Sequence, residues 1–245
     1  MDLNIYHLYP DVLNLYGDRG NILCLRRRLE WRGIGVSVTE LPIGSADSLA
    51  EADLIFIGGG QDFEQEALLE DLHRGKDESL RAAVADGVTV LAICGGYQML
   101  GRYYETHEGV RCDFVGAIDL WTVGGKERMI GNYLFRCGQE SGGMEVLGFE
   151  NHSGRTYLGE GVSPLGTVER GYGNNGTDGT EGVRWNNVFG TYSHGPLLPK
   201  NPALCDEILK TALTRKYGRA ELEPLDDSAE RRAFEEMAAR LRNKG

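Results

Sequence analysis

A short apolar run that ends in a cysteine and two glycines constrains the fold more than any other feature of the chain, and it reads VTVLAICGGYQML at residues 88–100. The pattern predicts a strand, a sharp turn and a helix, with Cys94 at the turn. Such a turn holds a nucleophile in a strained backbone conformation and needs small residues two positions away, which Ala92 and Gly96 provide. The helix that follows points its N-terminal amides at the sulfur and favours the thiolate. We therefore predict that Cys94 is a catalytic nucleophile, the alternative being a buried strand that happens to carry a cysteine.

Strand and helix patterns alternate through the first half of the chain. The predicted strands span residues 3–9, 35–41, 53–57 and 88–93, and the predicted helices span residues 18–32 and 78–85. This alternation indicates an α/β fold with a parallel sheet and helices on both of its faces. Ligands of such sheets bind beyond the carboxyl ends of the strands. Two of those ends carry the triple glycine Gly58–Gly60 and Cys94, so we expect the functional site there.

The second half of the chain is rich in short β-type runs separated by glycines. The predicted strands span residues 117–123, 129–135, 145–149, 166–168 and 183–188. No long polar linker precedes them, so we expect a meander built onto the same core rather than a separate domain. A helix at 201–213 follows, with Asn201 as its N-cap. We assign one domain to residues 1–217 and a linker with an amphipathic helix to residues 218–245, whose apolar side either packs on this domain or contacts a partner.

The charge and the cysteine pattern exclude several classes of function. The net charge of −11 and the pI of about 5.0 argue against nucleic acid as a partner. The five cysteines lack the spacing of a metal site, which predicts no bound metal and reduced thiols in a cytoplasmic protein. No signal peptide and no apolar run of membrane-spanning length are present, so we expect no membrane insertion.

A cysteine nucleophile needs a base and an oxyanion hole. His194 follows a β-type run and precedes Gly-Pro, which predicts an imidazole on a rim loop, and we select it as the base. The turn itself places the amide of Gly95, and a second donor could come from Gly59 or Gly60, because glycine lets the backbone approach a substrate closely. The alternatives are a structural histidine and an ordinary strand-to-helix turn at the glycines.

These residues resemble the class I glutamine amidotransferases, in their cobyric-acid-synthase-like branch. The resemblance is closer still to the glutaminase subunits of bacterial lipid II isoglutaminyl synthases. It rests on the Cys94 turn and on three segments, YPDVLNLYGDRGN (9–21), GFENHSGR (148–155) and GTYSHGPLL (190–198), and it covers residues 3 to about 215. It implies a flavodoxin-like, open, mostly parallel sheet flanked by helices.

The resemblance also implies a reaction. The Cys94 thiolate would attack the side-chain carboxamide of L-glutamine, with the oxyanion held by Gly95 and the 58–60 loop. His194 would protonate the departing ammonia and then activate water to hydrolyse the thioester. Arg128 matches the residue expected to bind the α-carboxylate of glutamine, the alternative being a solvated charge at a strand end. Asn151 and His152 would border the site without a catalytic role.

One departure from the family concerns the group that orients the histidine. Many class I amidotransferases carry a glutamate two residues after it, and this chain has Pro196 there. Either a Cys94–His194 dyad suffices, or an acid from another segment or another polypeptide completes the set.

The acceptor of the ammonia must lie on another polypeptide, because the chain has no phosphate-binding G-x-x-x-x-G-K-[ST] loop. We expect no cofactor in this chain, and ATP and Mg on the partner. The resemblance implies a heterodimer with a Mur-ligase-like synthetase of the MurT type, which would amidate the D-glutamate of the lipid II stem peptide to D-isoglutamine. The alternatives are a different synthetase, such as a cobyrinic acid amidating enzyme, a non-catalytic glutamine-binding scaffold, and another cysteine hydrolase of the same fold.

Overall fold

The computed structural model describes residues 1–45, 48–60, 64–138 and 143–243, without the side chains of 64–67. The strands are β1 (Asp2–Leu8), β2 (Gly35–Leu41), β3 (Leu54–Ile57), β4 (Thr89–Ile93), β5 (Tyr103–Glu105), β6 (Arg111–Asp113), β7 (Leu120–Cys137), β8 (Met144–Leu158), β9 (Gly166–Arg170), β10 (Thr180–Glu181), β11 (Val183–Trp185) and β12 (Val188–Thr191). The helices are α1 (Arg19–Glu30), α2 (Glu64–Asp71), α3 (Asp77–Ala85), α4 (Gly95–Met99), α5 (Leu197–Lys200), α6 (Pro202–Tyr217) and α7 (Ser228–Arg242).

The first sheet has six strands in the order β11-β12-β4-β3-β1-β2. All neighbours pair in parallel except β11, which runs antiparallel at one edge. Strands β3 and β4 are buried along their whole length, as expected for continuous apolar runs covered on both faces. The mostly parallel α/β sheet predicted from the sequence is therefore confirmed. Because β12, β4 and β3 are parallel neighbours, their carboxyl ends lie side by side at one edge of the sheet.

Strands β11 and β12 of the second half join the first sheet, and residues of both sheets share one hydrophobic core. The other strands of the second half pair with β5 and β6 in a second sheet. Its order is β10-β9-β7-β5-β6, with β8 also paired to β7. The runs predicted at 117–123 and 129–135 are one strand, β7, which continues through an irregularity between Gly124 and Met129. Side chains at Gly124 and Gly125 would collide with the hydroxyl of Tyr104 and the guanidinium of Arg155. These glycines thus give room to neighbouring strands instead of ending a strand.

Other predicted boundaries move for local reasons. The run predicted at 183–188 is divided into β11 and β12 by a turn at Asn186, whose φ is 49°. Helix α6 continues to Tyr217, where Gly218 with a φ of 82° ends it. Asn201 precedes α6, but its side chain bonds the backbone of Leu147 and Leu197 and makes no side-chain cap.

The C-terminal segment is attached to the rest of the chain by packing and by ion pairs. Helix α7 packs against α5 and β7, which leaves Phe234, Met237 and Leu241 half-buried. At its end, Arg242 pairs with Glu145 and Glu169. Among the described residues, no helix is both long enough and apolar enough to cross a membrane.

Candidate active site

Cys94 lies at the carboxyl end of β4, directly before α4, in the strained turn that the sequence predicts. Its φ is 47° and its ψ is −106°, a region that residues other than glycine rarely occupy. Its amide donates to the carbonyl oxygen of Thr191 at 2.8 Å, which ties the turn to the end of β12. A Cβ at Gly96 would lie 2.6 Å from Ile57 Cγ2 and 2.7 Å from the carbonyl oxygen of Gly58. Only glycine therefore lets α4 begin this close to the end of β3.

His194 and Cys94 line the same cavity, which has a volume of about 380 Å3. The imidazole does not lie on an exposed rim as predicted, because its side chain is fully buried. The backbone of His194 is fixed by an amide hydrogen bond of 2.8 Å to the carbonyl oxygen of Phe149. The cavity is lined by Leu15, Tyr16, Gly60, Cys94, Gln98, Arg128, Asn151, His152, Ser153, Gly154 and His194.

The electrostatic environment of His194 favours its protonated form. Burial by itself lowers the pKa of His194, but the charge of the Cys94 thiolate and the Asp18 carboxylate outweigh it and raise the pKa to about 10. The site therefore favours a protonated His194 beside the Cys94 sulfur at neutral pH. Such a pair supplies the nucleophile and the proton that the leaving group needs.

Asp18 is the carboxylate that the sequence analysis did not find. Its Oδ2 atom lies 3.2 Å from His194 Nδ1 and accepts a hydrogen bond of 2.9 Å from the amide of Gly59. Both side chains are fully buried. Of the alternatives left open for orienting His194, the geometry favours an acid from another segment of this chain. The predicted helix included residue 18, whereas α1 begins at Arg19 and leaves Asp18 in the preceding turn.

Pro196, two positions after His194, contacts the segment that carries Asp18. A Cβ at Gly20, in the first turn of α1, would lie 2.5 Å from Pro196 Cγ. The chain just after His194 is therefore packed against the start of α1. This contact brings the residue before that helix to the imidazole.

The triple glycine contributes more to the position of His194 than to an oxyanion hole. The amide of Gly59 donates to Asp18, and Gly59 does not line the cavity, so this amide is already used within the protein. A side chain at Gly59 would collide with His194 Cε1, and one at Gly58 with the carbonyl oxygen of Leu13. Gly60 lines the cavity, and Gly95 follows the nucleophile at the start of α4.

Arg128 lies on β7 and reaches the cavity, as predicted for a residue that binds a carboxylate. Its Nε and Nη2 atoms donate to Asn151 Oδ1 and to the Asn151 carbonyl oxygen, at 2.8 and 3.1 Å. No carboxylate in the described part of the chain forms an ion pair with Arg128. Its charge is therefore available to a ligand, while Asn151 sets its direction.

His152 borders the cavity and is held rigidly. Its ring stacks on Tyr192 at 3.5 Å between centroids and 6° between planes, and its Nδ1 lies 2.8 Å from the carbonyl oxygen of Gly154. The side chain is almost fully buried. Its place beside Asn151 agrees with the expectation that these residues border the site.

The comparison with known proteins agrees with this geometry. Residues 4–202 match the CobB/CobQ-like glutamine amidotransferase domain. The chain belongs to this family. The motifs around Cys94 and His194 predicted it, and that prediction is confirmed.

Two relatives and one solved structure show which members of the family this amidotransferase is similar to. It is 42% identical to the subunit GatD of lipid II isoglutaminyl synthase (glutamine-hydrolyzing) from Staphylococcus aureus, over 94% of the chain and 92% of the relative. It is 36% identical to a cobyric acid synthase from Pelotomaculum thermopropionicum, over 62% of the chain and 31% of that relative. The structure of PurLQS from Thermotoga maritima matches at a TM-score of 0.56 and 16% identity, covering 89% of this chain and 97% of the other. The structural match supports the fold alone.

The arrangement in this amidotransferase suits attack on a carboxamide. A cysteine in a strained turn, a histidine held by a buried carboxylate and a guanidinium that lines the same cavity are the parts that such a reaction needs. Among the described residues no cluster of metal-binding side chains is found.

Proposed function

We propose that this amidotransferase is the glutaminase subunit of a lipid II isoglutaminyl synthase, and that it hydrolyses L-glutamine through a thioester at Cys94. The observation that carries the proposal is the Cys94–His194–Asp18 arrangement beside a cavity that Arg128 also lines. The identity of 42% to a GatD subunit over nearly the whole of both chains supports the choice of synthase.

In the proposed reaction the Cys94 sulfur attacks the side-chain carbonyl carbon of glutamine. The amides of Gly95 and Gly60 stabilise the negative oxygen that forms. The tetrahedral intermediate collapses as the C–N bond breaks, and the His194 imidazolium gives its proton to the departing ammonia. The neutral imidazole then takes a proton from water, which attacks the thioester and releases glutamate. Asp18 accepts from Nδ1 in both steps, which leaves Nε2 for the transferred proton.

Arg128 would bind the α-carboxylate of glutamine through its guanidinium. Because Asn151 accepts from Nε and Nη2, the fork is fixed in direction before the substrate arrives. Preorganisation of this kind reduces the entropy lost on binding. The role of Arg128 is therefore in affinity more than in turnover.

The ammonia would pass to a second subunit, because free ammonia is protonated and lost as a nucleophile in water. We propose a heterodimer with a Mur-ligase-like synthetase of the MurT type, which binds ATP and Mg and amidates the D-glutamate of lipid II to D-isoglutamine. Two observations support a separate synthetase: this chain lacks a phosphate-binding loop, and the related subunit is named as one part of a synthase.

Labelling with 6-diazo-5-oxo-norleucine, an electrophile derived from glutamine, tests the first half of the proposal. We expect it to modify Cys94 and none of the other four cysteines, with Cys94→Ser abolishing both labelling and glutamate release. Cys112→Ser is the matched control, because Cys112 is half-buried and does not line the cavity. Equal glutaminase activity in Cys94→Ser would refute the thioester.

Co-purification with a MurT-type synthetase tests the second half. We expect a stable complex that amidates lipid II with glutamine and ATP, and that loses this activity but not its activity with added ammonia when Cys94 is replaced. Amidation of lipid II by this chain alone would contradict the two-subunit proposal, and so would failure of the pair to associate.

A further inference from the structure

Tyr16 occupies a strained position at the mouth of the cavity. Its φ of 53° and ψ of 25° place it in the left-handed region, which a bulky residue other than glycine rarely adopts. The turn is fixed by hydrogen bonds from the Leu15 amide to the Gly59 carbonyl oxygen, at 3.1 Å, and from the Asp18 amide to the Leu15 carbonyl oxygen, at 3.2 Å. Strain that the surrounding structure maintains is a reason to look for function.

The ring of Tyr16 packs edge-on against the catalytic base. Its centroid lies 5.0 Å from that of His194, with 64° between the planes, and 5.7 Å from that of Phe149. The same turn therefore supplies two groups to one imidazole: the Tyr16 ring beside it and the Asp18 carboxylate at Nδ1. Despite these contacts the Tyr16 side chain is 45% exposed, as expected for a residue at the rim.

The hydroxyl of Tyr16 contacts a second set of residues that line the cavity. It accepts a hydrogen bond from Asn151 Nδ2, and the other side-chain atom of the same amide, Oδ1, accepts from Arg128 Nε. Arg128 can only donate, so the amide presents Oδ1 to it, and the Tyr16 hydroxyl anchors the other end of the same side chain at Nδ2. A continuous path of contacts thus runs from His194 through Tyr16 and Asn151 to Arg128.

We infer that Tyr16 is a positioning residue that couples the two halves of the site, its ring holding His194 and its hydroxyl holding Arg128 through Asn151. The inference rests on the proposed glutaminase function and deepens it. It predicts that the two parts of the side chain serve different steps. Loss of the hydroxyl weakens glutamine binding, and loss of the ring slows the chemical steps.

Steady-state glutamate release by the complex separates these effects. We expect Tyr16→Phe to raise the KM for glutamine about 2- to 12-fold, the range for one neutral hydrogen bond, with a smaller change in kcat. Tyr16→Leu should in addition lower kcat by about 2- to 12-fold, the range for an aromatic pair. Tyr172→Phe is the matched control, since Tyr172 is 47% exposed and does not line the cavity.

Alkylation of Cys94 gives a second readout that does not depend on turnover. A probe with an α-carboxylate, 6-diazo-5-oxo-norleucine, should react more slowly with Tyr16→Phe by the same factor as the change in KM. Iodoacetamide, which has no such group, should react with Tyr16→Phe as it does with the unchanged protein. Tyr16→Leu should slow both probes, because the imidazolium that supports the thiolate is no longer held.

A double substitution tests whether the hydroxyl acts through Asn151. In an Asn151→Leu background, Tyr16→Phe should raise KM no further, since the path to Arg128 is already broken. An equal rise in KM in both backgrounds would overturn the inference, and so would unchanged KM and probe rates in Tyr16→Phe. Failure of the unchanged protein to react with 6-diazo-5-oxo-norleucine would instead refute the proposed function.

Discussion

Replacing Asp18 with asparagine removes one negative charge beside His194 and hardly changes the shape of the side chain. The Oδ2 atom of Asp18 holds two N–H groups, His194 Nδ1 at 3.2 Å and the amide of Gly59 at 2.9 Å. The amide oxygen of an asparagine can accept both. Asp18→Asn therefore removes the negative charge beside the imidazolium and retains neutral hydrogen bonds.

The expected loss follows from the difference between charged and neutral hydrogen bonds. A hydrogen bond to a charged group contributes about 1.5–3 kcal/mol, and a neutral one contributes about 0.5–1.5 kcal/mol. The loss of roughly 1–2 kcal/mol in the stabilisation of the imidazolium corresponds to a decrease in kcat of about 5- to 30-fold. Asp18→Ala should lose more, since it leaves two buried N–H groups without a partner.

The pH dependence gives a sharper test than the rate. The carboxylate is one cause of the raised pKa of His194, which stands at about 10. The proposed proton donor, the His194 imidazolium, is present below that pH, so kcat should fall as the pH rises through about 10. In Asp18→Asn the fall should begin at lower pH, because the pKa of His194 moves back toward its ordinary value.

Asp71→Asn is the matched control. Asp71 is a buried carboxylate outside the cavity, bonded to Tyr9, Lys76 and the amide of Gly44. It should lower the melting temperature and leave the pH profile of kcat in place. The reasoning is refuted if Asp18→Asn retains both the rate and the profile, or if it changes only the melting temperature.

Three further outcomes are expected. Arg128→Ala should raise the KM for glutamine about 10- to 150-fold, the range for a charged hydrogen bond, with little loss of kcat. An unchanged KM would exclude Arg128 from carboxylate binding, and Lys126→Ala is the control because Lys126 is exposed on the same strand. Gly59→Ala should lower kcat about 100-fold because its Cβ would displace His194, whereas full activity would show that the ring moves without cost. The raised pKa of His194 adds to the free energy of unfolding below pH 6.5, and this contribution should be lost as the pH rises from 6.5 to about 10. Chemical denaturation measures the loss, and an equal loss in His194→Gln would assign the pH dependence to other groups.

Local sequence patterns were enough to predict the core of the fold and the strained turn at Cys94. The strands predicted at 35–41 and 53–57 match β2 and β3 closely, because an alternating or wholly apolar run has only a few ways to be buried. The turn at Cys94 could be predicted because it needs small neighbours, here glycine and alanine, within a few residues. These features depend on contacts between residues that are close in the chain.

Glycines were the main source of error in the second half. They were interpreted as ends of strands, yet Gly124 and Gly125 lie inside β7, where they make room for side chains of neighbouring strands. A glycine that ends a strand in a turn and a glycine that lets a neighbouring strand come close look the same in the sequence. Only the neighbouring strand decides between them.

The sequence by itself determined the parallel sheet, the strained turn at Cys94 and the family, because each depends on short-range spacing. The tertiary structure alone decided how His194 is held, since Asp18 and Tyr16 come from a turn more than 170 residues before it. No periodicity links such distant positions. They meet because β1, β3, β4 and β12 lie side by side with their carboxyl ends at one edge, and Pro196 packs against the start of α1.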